Sequence, residues 1–103
     1  MYKVDIVIVN WNSGELLKSC LISLEEHGLE SIGKVIVVDN NSNDKSMDLL
    51  GNYSFDMEII FNKTNTGFAF SCNQGAKAGE SEYILFLNPD TEIFEKSLSS
   101  PLE

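Results

Sequence analysis

Apolar residues recur along this chain with two different periods, and the points where the period changes divide it into alternating strands and helices. Val4 to Val9 is a nearly continuous apolar run, rich in β-branched residues, with Asp5 near its edge. Such a run reads as a strand covered on both faces. Asn10-Trp11-Asn12-Ser13-Gly14 breaks it, and from Glu15 the spacing of Leu16, Leu17, Cys20, Leu21 and Leu24 becomes that of one helical stripe. Asn12 or Ser13 is placed to cap the start of that helix. His27-Gly28 is placed to end it, with His27 set against the helix dipole rather than serving as a catalytic base.

The same alternation continues. Lys34 to Val38 is a second apolar strand, closed by Asp39-Asn40-Asn41-Ser42-Asn43-Asp44, and a short helix with Met47 and Leu50 turned inward follows. Met57 to Phe61 reads as a third strand, Gly67 to Gly79 as a helix, and Tyr83 to Leu87 as a fourth strand running into Asn88-Pro89-Asp90-Thr91. The helix from Gly67 carries Cys72, Gly75, Ala76 and Gly79 at helical spacing. Glycine weakens a helix by about 1 kcal/mol relative to alanine, so two of them there imply close packing on the sheet. The βαβαβαβ order predicts an α/β fold: one parallel sheet, strand order 3-2-1-4, with helices on both faces and right-handed crossovers.

Length and composition narrow the class without changing this picture. A chain of 103 residues supports one core, and 43% hydrophobic with 22% charged residues is the balance of a globular domain. Sixteen acids face seven lysines and no arginine, for a net charge of −9, which excludes the basic footprint of a nucleic-acid binder. The longest apolar runs fall far short of the ~20 residues that span a bilayer, and Asp5 interrupts what would be a signal sequence. The expected location is therefore cytoplasmic. Cys20 and Cys72 lack metal-knuckle spacing and read as reduced, packed thiols.

In an open parallel sheet, ligands bind outside the carboxyl ends of the strands. Four segments fall there: Asn10 to Asn12, Asp39 to Ser42, Asn62 to Gly67 and Asn88 to Asp90. Each is rich in Asn, Asp, Ser or Thr, and each alone is explained by turns and caps. Together they form one polar rim. Neither GxGxxG after the first strand nor GxxxxGK[ST] occurs, which removes the main support for a dinucleotide fold or a P-loop. The acid pair of a phosphoacceptor receiver is missing too. Trp11 either walls a ligand or packs inward, packing being favoured. Lys63 reads as solvated, as do Glu80 and Glu82 at the opposite end of the sheet.

Four motifs in order carry a more specific likeness: Val7-Ile8-Val9-Asn10-Trp11-Asn12, Val37-Val38-Asp39-Asn40-Asn41-Ser42, Asn65-Thr66-Gly67-Phe68 with Asn73-Gln74-Gly75, and Leu87-Asn88-Pro89-Asp90-Thr91. This pattern, from about Asp5 to Thr91, resembles family-2 glycosyltransferases, most closely their rhamnosyltransferase-like branch. The resemblance implies a Rossmann-like GT-A fold in which residues 1–103 form the nucleotide-sugar-binding half of a longer domain. It places Asp39 against the nucleoside, where a carboxylate can accept a hydrogen bond from a base N–H. Asn10 and Asn12 are expected to line the same pocket, and Asn65, Gly67, Asn88 and Asp90 to complete the nucleotide-sugar site.

The family's DxD element, which holds a divalent metal against the donor diphosphate, here reads Asn88-Pro89-Asp90, leaving Asp90 as the metal ligand. Mg²⁺ or Mn²⁺ can still bind through one carboxylate plus phosphates, and with no arginine the cation is the natural counter-charge. The implied reaction is inverting transfer from a UDP- or dTDP-linked sugar to a glycan or lipid-linked acceptor, with the longer protein at the cytoplasmic membrane face. The family's catalytic base is expected beyond Glu103, since Glu92 and Glu95 read as acids of a first helical turn. The fragment alone is then inactive and self-associates through its exposed edge. The competing expectation is a non-catalytic α/β nucleotide-binding or interaction module.

Overall fold

The computed structural model describes residues 3–90. Strands β1 (Val4–Asn10), β2 (Ile32–Asp39), β3 (Met57–Phe61) and β4 (Tyr83–Leu87) form one sheet in the order β3-β2-β1-β4. Every neighbouring pair is parallel. Helix α1 (Glu15–His27) follows β1, and α2 (Phe68–Ala78) lies between β3 and β4. The sequence-derived order and topology are those observed. β1 and β2 are each longer than expected, because Asn10 and Asp39, polar residues read as loop, are paired in register as the last rung between them.

Side-chain alternation along the strands splits the interior into two layers. Val4, Ile6 and Ile8 of β1 and Ile32, Val35 and Val37 of β2 pack with Leu17, Cys20, Leu21 and Leu24 of α1. Val7, Ile36 and Val38 point to the other face, where Ile60 and Ala78 join them. Both faces of the central strands are therefore covered, which explains why their sequences are nearly continuous apolar runs. Met47 and Leu50 pack on the first layer, as expected, from a short 3-10 helix at Ser46–Leu49.

The small residues of α2 have the packing role inferred for them. A β-carbon at Gly75 would overlap Val7 Cγ1, so the helix lies on β1 at a distance only glycine permits. Gly79 and Gly33 serve a different contact. The Asp5 carboxylate is 0% exposed and accepts hydrogen bonds from the Glu80 N–H at 2.5 Å, the Ser81 N–H at 2.7 Å and the Ser81 hydroxyl at 2.7 Å. A β-carbon at Gly79 would stand 2.7 Å from Asp5 Oδ2, and one at Gly33 would stand 2.8 Å from Asp5 Oδ1 and collide with Ser81 Oγ. The β1–β2 register shifts here, between Val4 and Ile6.

The start of α1 departs from expectation. Neither Asn12 nor Ser13 caps it through a side chain; Gly14, at φ 58, is the capping residue, and its N–H donates to Asp44 Oδ2 at 2.8 Å. The Asn12 side chain is committed elsewhere, its Oδ1 accepting from the Asn43 N–H at 2.8 Å. Gly28 ends the helix as expected, its N–H donating to the Leu24 carbonyl. Both cysteines are reduced thiols, Cys20 buried and Cys72 half-buried, and burial pushes the Cys72 thiol pKa up. Among the described residues no helix is long and apolar enough to cross a membrane.

Candidate functional site

Because all four strands are parallel, their carboxyl ends lie on one side, and the four polar segments lie along that rim. The last residues of the central pair set the arrangement. Asn10 and Asp39 are register partners and therefore point to the same face of the sheet. Asn40, the next residue, points to the other. Backbone bonds continue the ladder past the strands: the Asn40 N–H donates to the Asn10 carbonyl at 2.8 Å, and the Asn62 N–H to the Asp39 carbonyl at 2.9 Å.

Asp39, 4% exposed, sits in a cluster on the α1 face. Its Oδ1 accepts from Asn10 Nδ2 at 2.9 Å and from the Ser42 hydroxyl at 2.6 Å. Among the described residues its Oδ2 accepts the Ser42 N–H alone, at 3.1 Å. Asp39 thus caps the turn that follows it and still keeps an open acceptor position on Oδ2, since each carboxylate oxygen has two lone pairs. Ser42 Oγ also receives the Asn12 N–H at 2.9 Å, and Asp44 ties the same loop down through the N–H groups of Ser46 and Gly14. Hydrogen bonds from the Ser46 side chain and backbone hold the Asp44 carboxyl below its ordinary pKa, against a small opposing effect of burial.

A cleft of about 540 Å³ opens beside this cluster, lined among others by Asp39, Ser42, Lys45, Phe61, Asn62 and Lys63. It combines two carboxylates, the buried Asp39 and the exposed Asp48, with an exposed aromatic ring and two lysines. An aromatic ring beside convergent polar groups is the composition of a site for a small polar ligand. Lys63 is exposed, as expected, and also forms part of the lining.

The opposite face of the rim holds a second network that sequence reasoning did not pick out. Asn40 Oδ1 accepts from the Ser71 hydroxyl at 2.7 Å, Asn62 Nδ2 at 2.9 Å and the Thr66 hydroxyl at 3.1 Å. Asn62 and Gln74 exchange amide hydrogen bonds at 2.7 and 2.9 Å. This network pins the loop from Asn62 to Gly67 onto α2. The signal available was Gln74 on the first turns of a helix otherwise lined by small and aromatic residues.

The expected site residues divide accordingly. Asn10 and Asp39 are brought together. Asn12 is half-buried and spends its side chain on the loop after β2. Asn65 is exposed and its Oδ1 accepts the Gly67 N–H at 3.0 Å; Gly67, at φ 88, starts α2 with no side-chain cap. Asn88 and Asp90 follow β4 and are exposed, separated from Asp39 by the width of β1. Asp90 is not among the residues lining the cleft beside Asp39. Trp11, for which packing was favoured, is 55% exposed instead. β1 ends at Asn10, so the in-and-out alternation no longer governs position 11. Thr91, Glu92 and Glu95 lie outside the described residues. His27 ends α1 with Nε2 3.7 Å from Glu26 Oε2, away from the rim.

Among the described residues no three His, Cys, Asp or Glu side chains gather as a metal set. A lone exposed carboxylate at Asp90, with the Asn88 amide two positions before it, suits a hard cation only when phosphate oxygens and waters complete the shell.

A parallel 3-2-1-4 sheet with a polar rim at its carboxyl end and a buried acid closing the second strand is the arrangement of a GT-A type fold. The chain belongs to glycosyl transferase family 2, whose sequence model matches residues 5–103. It is 32% identical over 101 residues to the poly(ribitol-phosphate) beta-glucosyltransferase of Bacillus spizizenii, covering 93% of this chain and 16% of that one. The fold matches that of Staphylococcus aureus TarS 1-349, solved in complex with UDP-GlcNAc, at a TM-score of 0.85 and 24% identity over 97% of this chain and 30% of that one. It also matches the mannosyltransferase PcManGT of Pyrobaculum calidifontis, solved with GDP-Man and Mn²⁺, at 0.88 and 16% over 98% of this chain and 31% of that one. The chain thus spans from about a sixth to a third of the length of these proteins.

Proposed function

We propose that this chain is the donor-binding portion of a glycosyltransferase, holding a nucleoside diphosphate sugar for inverting transfer to an acceptor hydroxyl. The observation that carries this reading is Asp39. A buried carboxylate at the carboxyl end of β2, opening on a cleft and keeping an unfilled acceptor position on Oδ2, suits a ring N–H of uracil or thymine. Family membership and the bound nucleotide-sugars of the TarS and PcManGT structures support the same reading. The rhamnosyltransferase-like branch is the finer assignment we favour, on the Asn-Pro-Asp sequence after β4.

Asp90, with Asn88 beside it, would hold a divalent cation that offsets the charge of the donor diphosphate. The net charge of −9 and the absence of arginine leave the protein few other means to do so. The acceptor is a glycan or lipid-linked hydroxyl, for which the poly(ribitol-phosphate) beta-glucosyltransferase activity named for the Bacillus spizizenii relative is the support. The general base is placed in sequence outside this chain, so the 103 residues bind without turning over. The outward edge of β4, which leaves Tyr83, Ile84 and Phe86 exposed, is proposed to pair with a second copy. Sedimentation at rising concentration tests that pairing.

Calorimetric titration of UDP and dTDP, with Mn²⁺ and then with EDTA, tests the main reading. Weak binding that requires the cation is expected. Equal affinity in EDTA removes the metal role from Asp90, and no binding under either condition favours a module without a nucleotide function.

A further inference from the structure

The Asn10 side chain carries an unresolved cost. It is 0% exposed at the end of the central strand, and its Nδ2 lies 2.9 Å from Asp39 Oδ1, 2.9 Å from Ser46 Oγ, 3.1 Å from Ser42 Oγ and 3.4 Å from Met47 Sδ. Two N–H bonds therefore face four acceptors. Its Oδ1 is buried with no hydrogen-bond partner. Leaving such an oxygen unsatisfied costs about 1–3 kcal/mol. Turning the amide over would not remove the cost, because it would set Oδ1 against the Asp39 carboxylate. Stability alone favours an apolar side chain at this position, in the pattern of Val4, Ile6 and Ile8 on the same face of the strand.

What the amide does accomplish is to occupy one side of a carboxylate. Asn10 Nδ2 and Ser42 Oγ together fill Oδ1 of Asp39, so the open acceptor position falls on Oδ2. Without the Asn10 contact the carboxylate keeps its two bonds from Ser42, one on each oxygen, and both oxygens then have an open acceptor position. We propose that Asn10 is a positioning residue: it turns the Asp39 carboxylate so that Oδ2 meets the ligand, and thereby sets the preference for a base that presents a ring N–H. This rests on the nucleotide reading of the cleft given above. It also revises the role expected for Asn10, which acts through Asp39 instead of lining the pocket.

The test compares UDP with N3-methyl-UDP, which lacks the ring N–H, on the 103-residue chain and its Asn10→Ala and Asn10→Leu variants. The reading is the ratio of the two dissociation constants. In the unaltered chain, methylation is expected to weaken binding at least about tenfold, the worth of one hydrogen bond to a charged group. In either Asn10 variant that ratio should collapse toward one, while affinity for N3-methyl-UDP stays nearly constant. Equal losses for both ligands, with the ratio preserved, would make Asn10 a purely structural residue and overturn the proposal. So would unfolding of both variants, judged by thermal melts. Asp39→Asn separates the two levels of the argument: if it leaves UDP binding intact, the nucleotide reading itself fails. If it abolishes discrimination while the Asn10 variants retain it, only the role of Asn10 fails.

Discussion

Asp5 and Asp39 sit on neighbouring central strands at opposite ends of one sheet, both taken out of water and both accepting three hydrogen bonds. The origin of the donors separates them. Those of Asp5 come from Glu80 and Ser81, more than seventy residues away, and they fasten the turn between α2 and β4 to the first strand. Those of Asp39 come from the adjoining strand end and its own following turn, and one acceptor position stays open beside a cleft. A buried acid whose bonds close a distant loop maintains the fold, whereas one whose bonds leave a vacancy toward a cavity is set up for a ligand. Burial and bond count do not distinguish the two, but the destination of the last lone pair does.

Substituting each acid should break the pairing most sharply. Asp5→Ala leaves two backbone N–H groups without an acceptor and is expected to cost about 3 kcal/mol, lowering the melting temperature by roughly 15 °C. Asp39→Asn should cost about 1 kcal/mol, yet weaken nucleotide binding at least about tenfold. Chemical denaturation and calorimetry on the two variants read both quantities, and a large binding loss in a folded Asp5→Ala chain would contradict the division.

Packing of α2 on the middle of β1 offers the next largest effect. Gly75→Ala drives a methyl into Val7 and should destabilise the chain by about 2 kcal/mol, a cost of overpacking that Val7→Ala should partly relieve. A double-mutant cycle in denaturant measures that relief.

Acid sharpens the comparison further. Burial alone would raise the pKa of Asp5, but hydrogen bonds from the Ser81 N–H and hydroxyl and the Glu80 N–H, with the charge of Lys34, outweigh it and leave the carboxyl below its ordinary value. A carboxyl with a depressed pKa stabilises the fold fully above its unfolded value, near 4, and loses that contribution as pH falls through the lower folded value. Thermal melts from pH 7 to pH 2.5 should therefore show a decline below pH 4 that is shallower in Asp5→Asn.

The distinction between these acids was only half legible in the amino-acid sequence. Strand order, the parallel pairing and the close approach of α2 followed from the apolar runs and the glycine spacing, because these are local periodicities with one physical reading. Asp39 was legible as a candidate site residue because it ends a strand within a recognisable motif. Asp5 was legible only as a polar interruption near a strand edge, since its partners lie across the whole chain and no spacing encodes them. The Asn40, Asn62 and Gln74 network was missed for the same reason. The caps of α1 were misjudged because Asn12, a good capping residue, is claimed by the loop after β2. Removing that second network should have the smallest effect here: Gln74→Ala is expected to cost about 1 kcal/mol and to speed amide exchange from Asn62 to Gly67.

Nucleotide recognition through the open oxygen of Asp39 is the central claim, and calorimetric titration of UDP in Mn²⁺ against the unaltered chain and Asp39→Asn tests it most directly. The account predicts weak, measurable binding to the first and at least about a tenfold loss in the second, with both chains folded. Equal affinity for the two would show that the nucleotide, if bound, is held elsewhere on the rim, and would contradict the account.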